Sequence, residues 1–118
     1  MRTIDTLSPQ ERTAVADLQQ GVITVLPEVS TRMTLFGSRA RGDAEPDSDM
    51  DMLLELDVER LDLATKRRIR RLAGEVSLKH SLVISFLLVD RAQARERGDY
   101  SIFTNIREEG IPLPWRHR

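Results

Sequence analysis

The chain has 118 residues, a net charge of −1 and 40% apolar residues, which suffices for one domain with a real core. Aromatics are only 4%, so that core is aliphatic, and the absence of cysteine excludes both a disulfide framework and a thiolate metal site. No apolar run approaches the ~20 residues of a membrane span, and Met1 to Gln10 lacks the apolar stretch of a signal peptide. With no cysteine to oxidise and no export signal, a cytoplasmic setting is expected. The charge balance gives no overall bias toward nucleic acid. Its distribution is uneven, acidic from Asp43 to Asp62 and basic from Lys66 to Arg71, which predicts one acidic edge and one basic face.

In chain order, Ser8-Pro9-Gln10-Glu11 reads as a helix start, with Ser8 as cap, Pro9 in the first turn and Glu11 completing a capping box. Val15, Leu18, Val22 and Val25 follow at helical spacing, and Pro27 ends a helix over about 8–26. Arg32 to Phe36 is a short strand stopped by Gly37, followed by a turn through Ser38, Arg39, Ala40, Arg41 and Gly42. Asp43 to Ser48 is a loop around Pro46. Met50 to Leu56 is a second strand. Its alternation places Asp49, Asp51, Leu53 and Glu55 on one face and Met50, Met52, Leu54 and Leu56 on the other.

Asp62 to Lys79 is a helix with Leu63, Ile69, Leu72, Ala73 and Val76 inward and Lys66, Arg67, Arg68, Arg70 and Arg71 outward. Leu82 to Val89 is apolar on both faces except at Ser85, which predicts a central strand. Arg91 to Arg97 is a helical turn. Asp99 to Glu109 is a short helix with Ile102, Phe103 and Ile106 inward, closed by Gly110. Ile111 to Arg118, with two prolines and Trp115, reads as a partly loose tail. The sum is a single domain over 1–118 with its core over about 32–113. The expected fold is α+β, a small mixed sheet with helices packed on it.

Two features carry chemistry. Asp49 and Asp51, at i and i+2 of one strand, point to the same side with Cβ atoms roughly 6–7 Å apart. Two anions so close repel unless a cation sits between them. Mg²⁺ takes such oxygen ligands and keeps positions open for substrate phosphates. Gly37 lets backbone N–H groups approach an anion, and a helical turn starting at Ser38 aims its donors at it. The Ser38 hydroxyl adds a donor, and Arg39 and Arg41 add positive charge.

The run Phe36-Gly37-Ser38-Arg39-Ala40-Arg41-Gly42, then ten residues between Ser38 and Asp49-Met50-Asp51, resembles the signature of the DNA polymerase β-like nucleotidyltransferase superfamily. Ser48 before Asp49 fits its Ser-Asp-x-Asp form. The short length resembles the minimal nucleotidyltransferase (MNT) branch, and Phe103 to Ile111 resembles a segment common in its small members. The resemblance spans Leu18 to Leu113. It implies that Gly37 and Ser38, with Arg39 and Arg41 beside them, hold the triphosphate of ATP. It implies that Asp49 and Asp51 are the catalytic pair that ligates Mg²⁺ or Mn²⁺. The reaction would transfer AMP and release pyrophosphate. Many small members are antitoxins that adenylylate a HEPN-type RNase toxin, so a protein acceptor supplied by such a partner is expected. An exposed strand edge would also suit a homo-oligomer.

The superfamily usually sets a third carboxylate on the neighbouring strand, where it helps activate the attacking hydroxyl. Leu82 to Val89 holds no Asp or Glu; Ser85 or Val83 takes the corresponding place. Asp90 lies just past the strand, and Glu55 stands about 13 Å from Asp51 at ~3.3 Å per residue. Loss of a general base costs a factor of roughly 10²–10⁴ in rate. That leaves a second expectation, an interaction module that keeps the fold and neutralises a partner by binding. A small-molecule acceptor would call for an added helical domain that the length does not supply. Nucleic acid is not expected as the primary partner, because basic balance and an aromatic stacking surface are both missing.

Overall fold

The computed structural model describes residues 7–45, 47–96 and 101–113. The first helix, α1 (Pro9–Val25), begins with the expected reciprocal cap. The Glu11 N–H donates to Ser8 Oγ (3.1 Å) and the Ser8 N–H donates to Glu11 Oε1 (2.8 Å). Two orphan donors of the first turn are thereby satisfied. Ala14, Val15, Leu18 and Val22 form its buried stripe.

Next come β1 (Thr31–Phe36), the five-residue helix α2 (Gly37–Arg41) and β2 (Met50–Leu56). Then follow α3 (Leu63–His80), β3 (Ile84–Val89), α4 (Arg91–Glu96), α5 (Ser101–Glu109) and β4 (Ile111–Leu113). Asp62 caps α3 by accepting from the Thr65 N–H at 2.7 Å. His80 and Lys79 at its far end both reach Asp17 of α1, at 2.6 and 3.0 Å, and tie the two helices together.

The sheet is mixed, in the order β3-β2-β1-β4. β1 is antiparallel to both its neighbours, and β2 and β3 are parallel. The parallel pair needs a crossover, which α3 supplies. Against one face, α1 and α3 bury Met33, Leu35, Met50, Met52, Leu54 and Ile69 in the main core. The other face carries a smaller cluster of Leu53, Val89 and Ile106, so α5 covers the middle of that face. Among the described residues no helix is long and apolar enough to cross a membrane.

Two expectations are corrected. Among the described residues β3 is an edge strand, not a central one. Its apolar character comes from helices above and below, since Leu88 packs into the main core and Val89 into the smaller cluster. Facial burial alone produces that pattern, without a strand on each side. Leu63 is also exposed rather than inward. Within the tail, Ile111–Leu113 pairs with Met33–Leu35 as β4. Pro112 is tolerated there because an edge strand has a row of backbone groups with no sheet partner. Trp115, Pro46 and the side chains of Ile102 and Phe103 lie outside the described residues.

Candidate nucleotide and metal site

The site is built where β1 ends. Phe36 stands opposite Asp51 in the antiparallel register, so the next residue, Gly37, turns directly beside that carboxylate. Gly37 has φ +75°, a left-handed conformation that favours glycine. Space demands glycine as well. A Cβ at Gly37 would overlap Asp51 Oδ2 and lie 3.3 Å from Cγ. The missing side chain lets the Asp51 carboxylate lie directly against the bend.

From Gly37 the backbone enters α2, which Gly42 closes at φ +86°. The Ser38 carbonyl accepts from the Gly42 and Asp43 N–H groups (2.9 and 3.1 Å). The Ser38 side chain is half-buried, and its hydroxyl has no hydrogen-bond partner among the described residues.

Asp51 is half-buried and Asp49 exposed, on the same face of the chain entering β2. The register of β2 with β3 sets Ser85 opposite Asp51, and Ser85 Oγ donates to Asp49 Oδ2 at 3.2 Å. Burial and the neighbouring Asp49 charge push the Asp51 carboxyl above its ordinary range, against a smaller pull from Arg41. An excess of negative charge in a partly desolvated place is what a cation relieves. Among the described residues no three His, Cys, Asp or Glu side chains cluster around a metal position. The pair therefore fits an ion held by one or two carboxylates and completed by substrate phosphates.

The two arginines separate. Arg41 is exposed, 3.4 Å from Asp43 through Nε, and close enough to act on Asp51. Arg39 does not fit the expectation of a charge facing the phosphates. It is buried, with Nη1 3.2 Å from Glu11 Oε2 and with Nε and Nη2 donating to the Ser48 carbonyl at 3.0 and 2.8 Å. A buried Glu11 needs that partner. Burial pushes its carboxyl up, but bonds from the Ser8 N–H, Arg39 and Ser8 Oγ outweigh it and hold it below the usual range. Arg39 thus clamps the residue before Asp49 to the start of α1. Glu11 is legible as a helix cap and Ser48 as a loop residue of the Ser-Asp-x-Asp form, and nothing in their local pattern announces this link.

Of the two residues expected in the place of a third carboxylate, Ser85 stands opposite Asp51, while Val83 lies before the strand and is 57% exposed. Asp90 sits at the other end of β3 and serves the fold. Its Oδ2 accepts from the Leu61 N–H (2.9 Å) and its Oδ1 from the Gln93 N–H (2.8 Å), capping α4. Burial pushes its carboxyl up, and those backbone bonds bring it below the ordinary range.

The profile of the nucleotidyltransferase domain family matches residues 20–106. The chain belongs to this family. The match contains the bend, both aspartates and Ser85. Two proteins of Methanocaldococcus jannaschii, each bearing the name "putative protein adenylyltransferase", are similar to it. One is 37% identical over 71 residues, covering 60% of this chain and 71% of the relative. The other is 33% identical over 85 residues, covering 70% and 76%. A nucleotidyltransferase needs backbone donors beside acidic side chains, and the Gly37 bend against Asp51 brings the two together.

Proposed function

We propose that this nucleotidyltransferase transfers AMP from ATP to a hydroxyl of a partner protein, a HEPN-type toxin for which it serves as antitoxin. The observation that carries the transferase reading is the contact of the Gly37 bend with the Asp51 carboxylate, with Asp49 beside it. The names of the two relatives favour a protein acceptor.

Asp49 and Asp51 would hold Mg²⁺ or Mn²⁺, which when bound neutralises the triphosphate and the charge that develops on it. Gly37 admits the triphosphate close to the backbone, and the Ser38 hydroxyl donates to it. Arg41 adds positive charge at the open side. The acceptor oxygen bonds to the α-phosphorus, the bond from that phosphorus to the bridging α–β oxygen breaks, and pyrophosphate leaves. The hydroxyl proton passes to solvent, because Ser85 is no base at neutral pH. Ser85 instead holds Asp49 in place through its 3.2 Å bond.

Incubating the chain with magnesium, ATP and a candidate partner tests this by intact mass. The partner should gain one adenylyl group, and Asp49→Asn with Asp51→Asn should abolish the gain. Pyrophosphate release with no modified protein would sink the protein-acceptor reading. The serine at the third-carboxylate position favours a second reading, an interaction module that neutralises its partner by binding. A stable complex with no mass gain under any triphosphate would select it.

A further inference from the structure

The outer edge of β3 is open. Among the described residues it has β2 on one side and no strand on the other. The Met50 N–H donates to the Val83 carbonyl at 2.7 Å, and the parallel register then turns the N–H groups of Ile84, Phe86 and Leu88 away from β2. Ser77 Oγ accepts from the Ile84 N–H at 3.2 Å. No described residue does the same for Phe86 or Leu88.

The helix beside this edge is unusual. Leu63, Arg67, Arg70, Gly74 and Leu78 recur at spacings of four, three, four and four residues, one stripe of α3. Leu63 and Leu78 are 61% and 85% exposed, and Val83, also exposed, lies where α3 runs into β3. Arg70 and Gly74 face Ile84, Ser85 and Phe86 across a cavity of about 350 Å³. Arg67, Arg70 and Arg71 are exposed and pair with no carboxylate of the described residues.

We propose that the β3 edge takes an extended acidic polypeptide segment as a fifth strand, with one of its hydroxyl side chains set beside Asp49. This rests on the protein-acceptor reading and specifies how the acceptor arrives. Side chains of an added strand alternate between the two faces. One set would meet the arginines and exposed leucines of α3. The other would lie on the Asp51 face next to Ser85, whose Oγ already bonds Asp49. Strands sit ~4.8 Å apart, so the added strand lies two spacings, roughly 10 Å, from Asp51, within reach of a long hydroxyl side chain such as tyrosine placed opposite Ser85. Backbone pairing supplies affinity without sequence demands, and the unpaired guanidinium groups select carboxylates. A second copy of this chain fits less well. Pairing two β3 edges antiparallel would bring the α3 helices side by side, arginine against arginine. Nucleic acid could use the arginines but would leave the backbone edge unpaired.

The test uses the full chain and a fluorescent peptide with glutamate at alternate positions and one tyrosine in the other register, without nucleotide. Binding is read by anisotropy and by amide hydrogen exchange. The peptide should bind and slow exchange at Phe86 and Leu88. Arg67→Glu with Arg70→Glu should weaken it about tenfold, the scale of two exposed charge pairs, with magnesium–ATP stabilisation unchanged. No binding, equal binding by the charge-reversed chain, or no protection at Phe86 and Leu88 would overturn the proposal. So would a polyuridylate of matching length that binds more tightly and protects the same amides. Because no nucleotide is present, failure of AMP transfer would leave this result standing. AMP transfer to the peptide at an undiminished rate by the charge-reversed chain would overturn the docking alone.

Discussion

Replacing Gly37 by alanine isolates the packing on which the site depends. The backbone stays at φ +75°, where an L-residue costs about 1–2 kcal/mol. The new Cβ would overlap Asp51 Oδ2, so the carboxylate must swing aside, at about 0.5–1.5 kcal/mol if it leaves its rotamer well. Restricting the unfolded chain returns about 0.4–1 kcal/mol. The net expectation is a loss of about 1–2 kcal/mol in a urea titration, a melting shift of several degrees for a domain of this size. A double-mutant cycle separates the parts. In an Asp51→Ala background the carboxylate is gone and only the backbone cost remains, so the two changes should couple by roughly 0.5–1.5 kcal/mol. Magnesium–ATP stabilisation should be lost in Gly37→Ala itself. Wild-type stability with intact nucleotide stabilisation would refute the placement of the bend against the carboxylate.

Further outcomes follow from the same contacts. Asp51→Asn should make the metal-free protein more stable at neutral pH. Burial and Asp49 raise the native carboxyl above its ordinary 3.8, so the folded wild type binds more protons than the unfolded chain and loses stability as pH rises through that window. The advantage of Asp51→Asn should vanish as pH falls below about 3.8, and a mutant less stable at every pH would contradict the cause assigned. Arg39→Ala should cost about 3 kcal/mol or more, because Glu11 is left buried without its cation. Arg41→Ala should instead leave stability within about 0.5 kcal/mol and weaken triphosphate affinity; calorimetry that finds the reverse division would show that the two roles are exchanged. Asp90→Asn should cost about 1–3 kcal/mol, because its amide nitrogen can no longer accept one of the two backbone bonds, and leave magnesium–ATP stabilisation intact. Ser85→Asp should raise the rate of AMP transfer by up to about 10² by supplying a base, while lowering metal-free stability; an unchanged rate would mean that no base is wanted at that position.

Local chemistry was readable where it is decided locally. The Ser8–Glu11 capping box and the bounds of β2 at Met50 and Leu56 appear as expected, because capping and alternation act within a few residues. The convergence of Gly37 with Asp51 was legible through the family signature, and the register Phe36↔Asp51 supplies its physical cause. Lateral order was not legible. Leu82 to Val89 reads as central because its apolar residues are buried on both faces, Leu88 in the main core and Val89 in the smaller cluster, and periodicity reports faces, not neighbours. Likewise, Ile111–Leu113 became a strand only because β1 offered it an edge. Arg39 was misjudged for a related reason. A surface arginine and one that clamps a loop to a buried glutamate look identical until the tertiary contact forms.

The central claim is that two aspartates and a glycine bend make one metal-dependent triphosphate site. Titration calorimetry with a non-cleavable ATP analogue tests it most directly, with and without magnesium. Binding should require the ion, stabilise the fold by about 2.7 kcal/mol at a hundredfold excess over Kd, and disappear in Asp49→Asn with Asp51→Asn. Equal binding without magnesium, or by the doubly substituted chain, would contradict it.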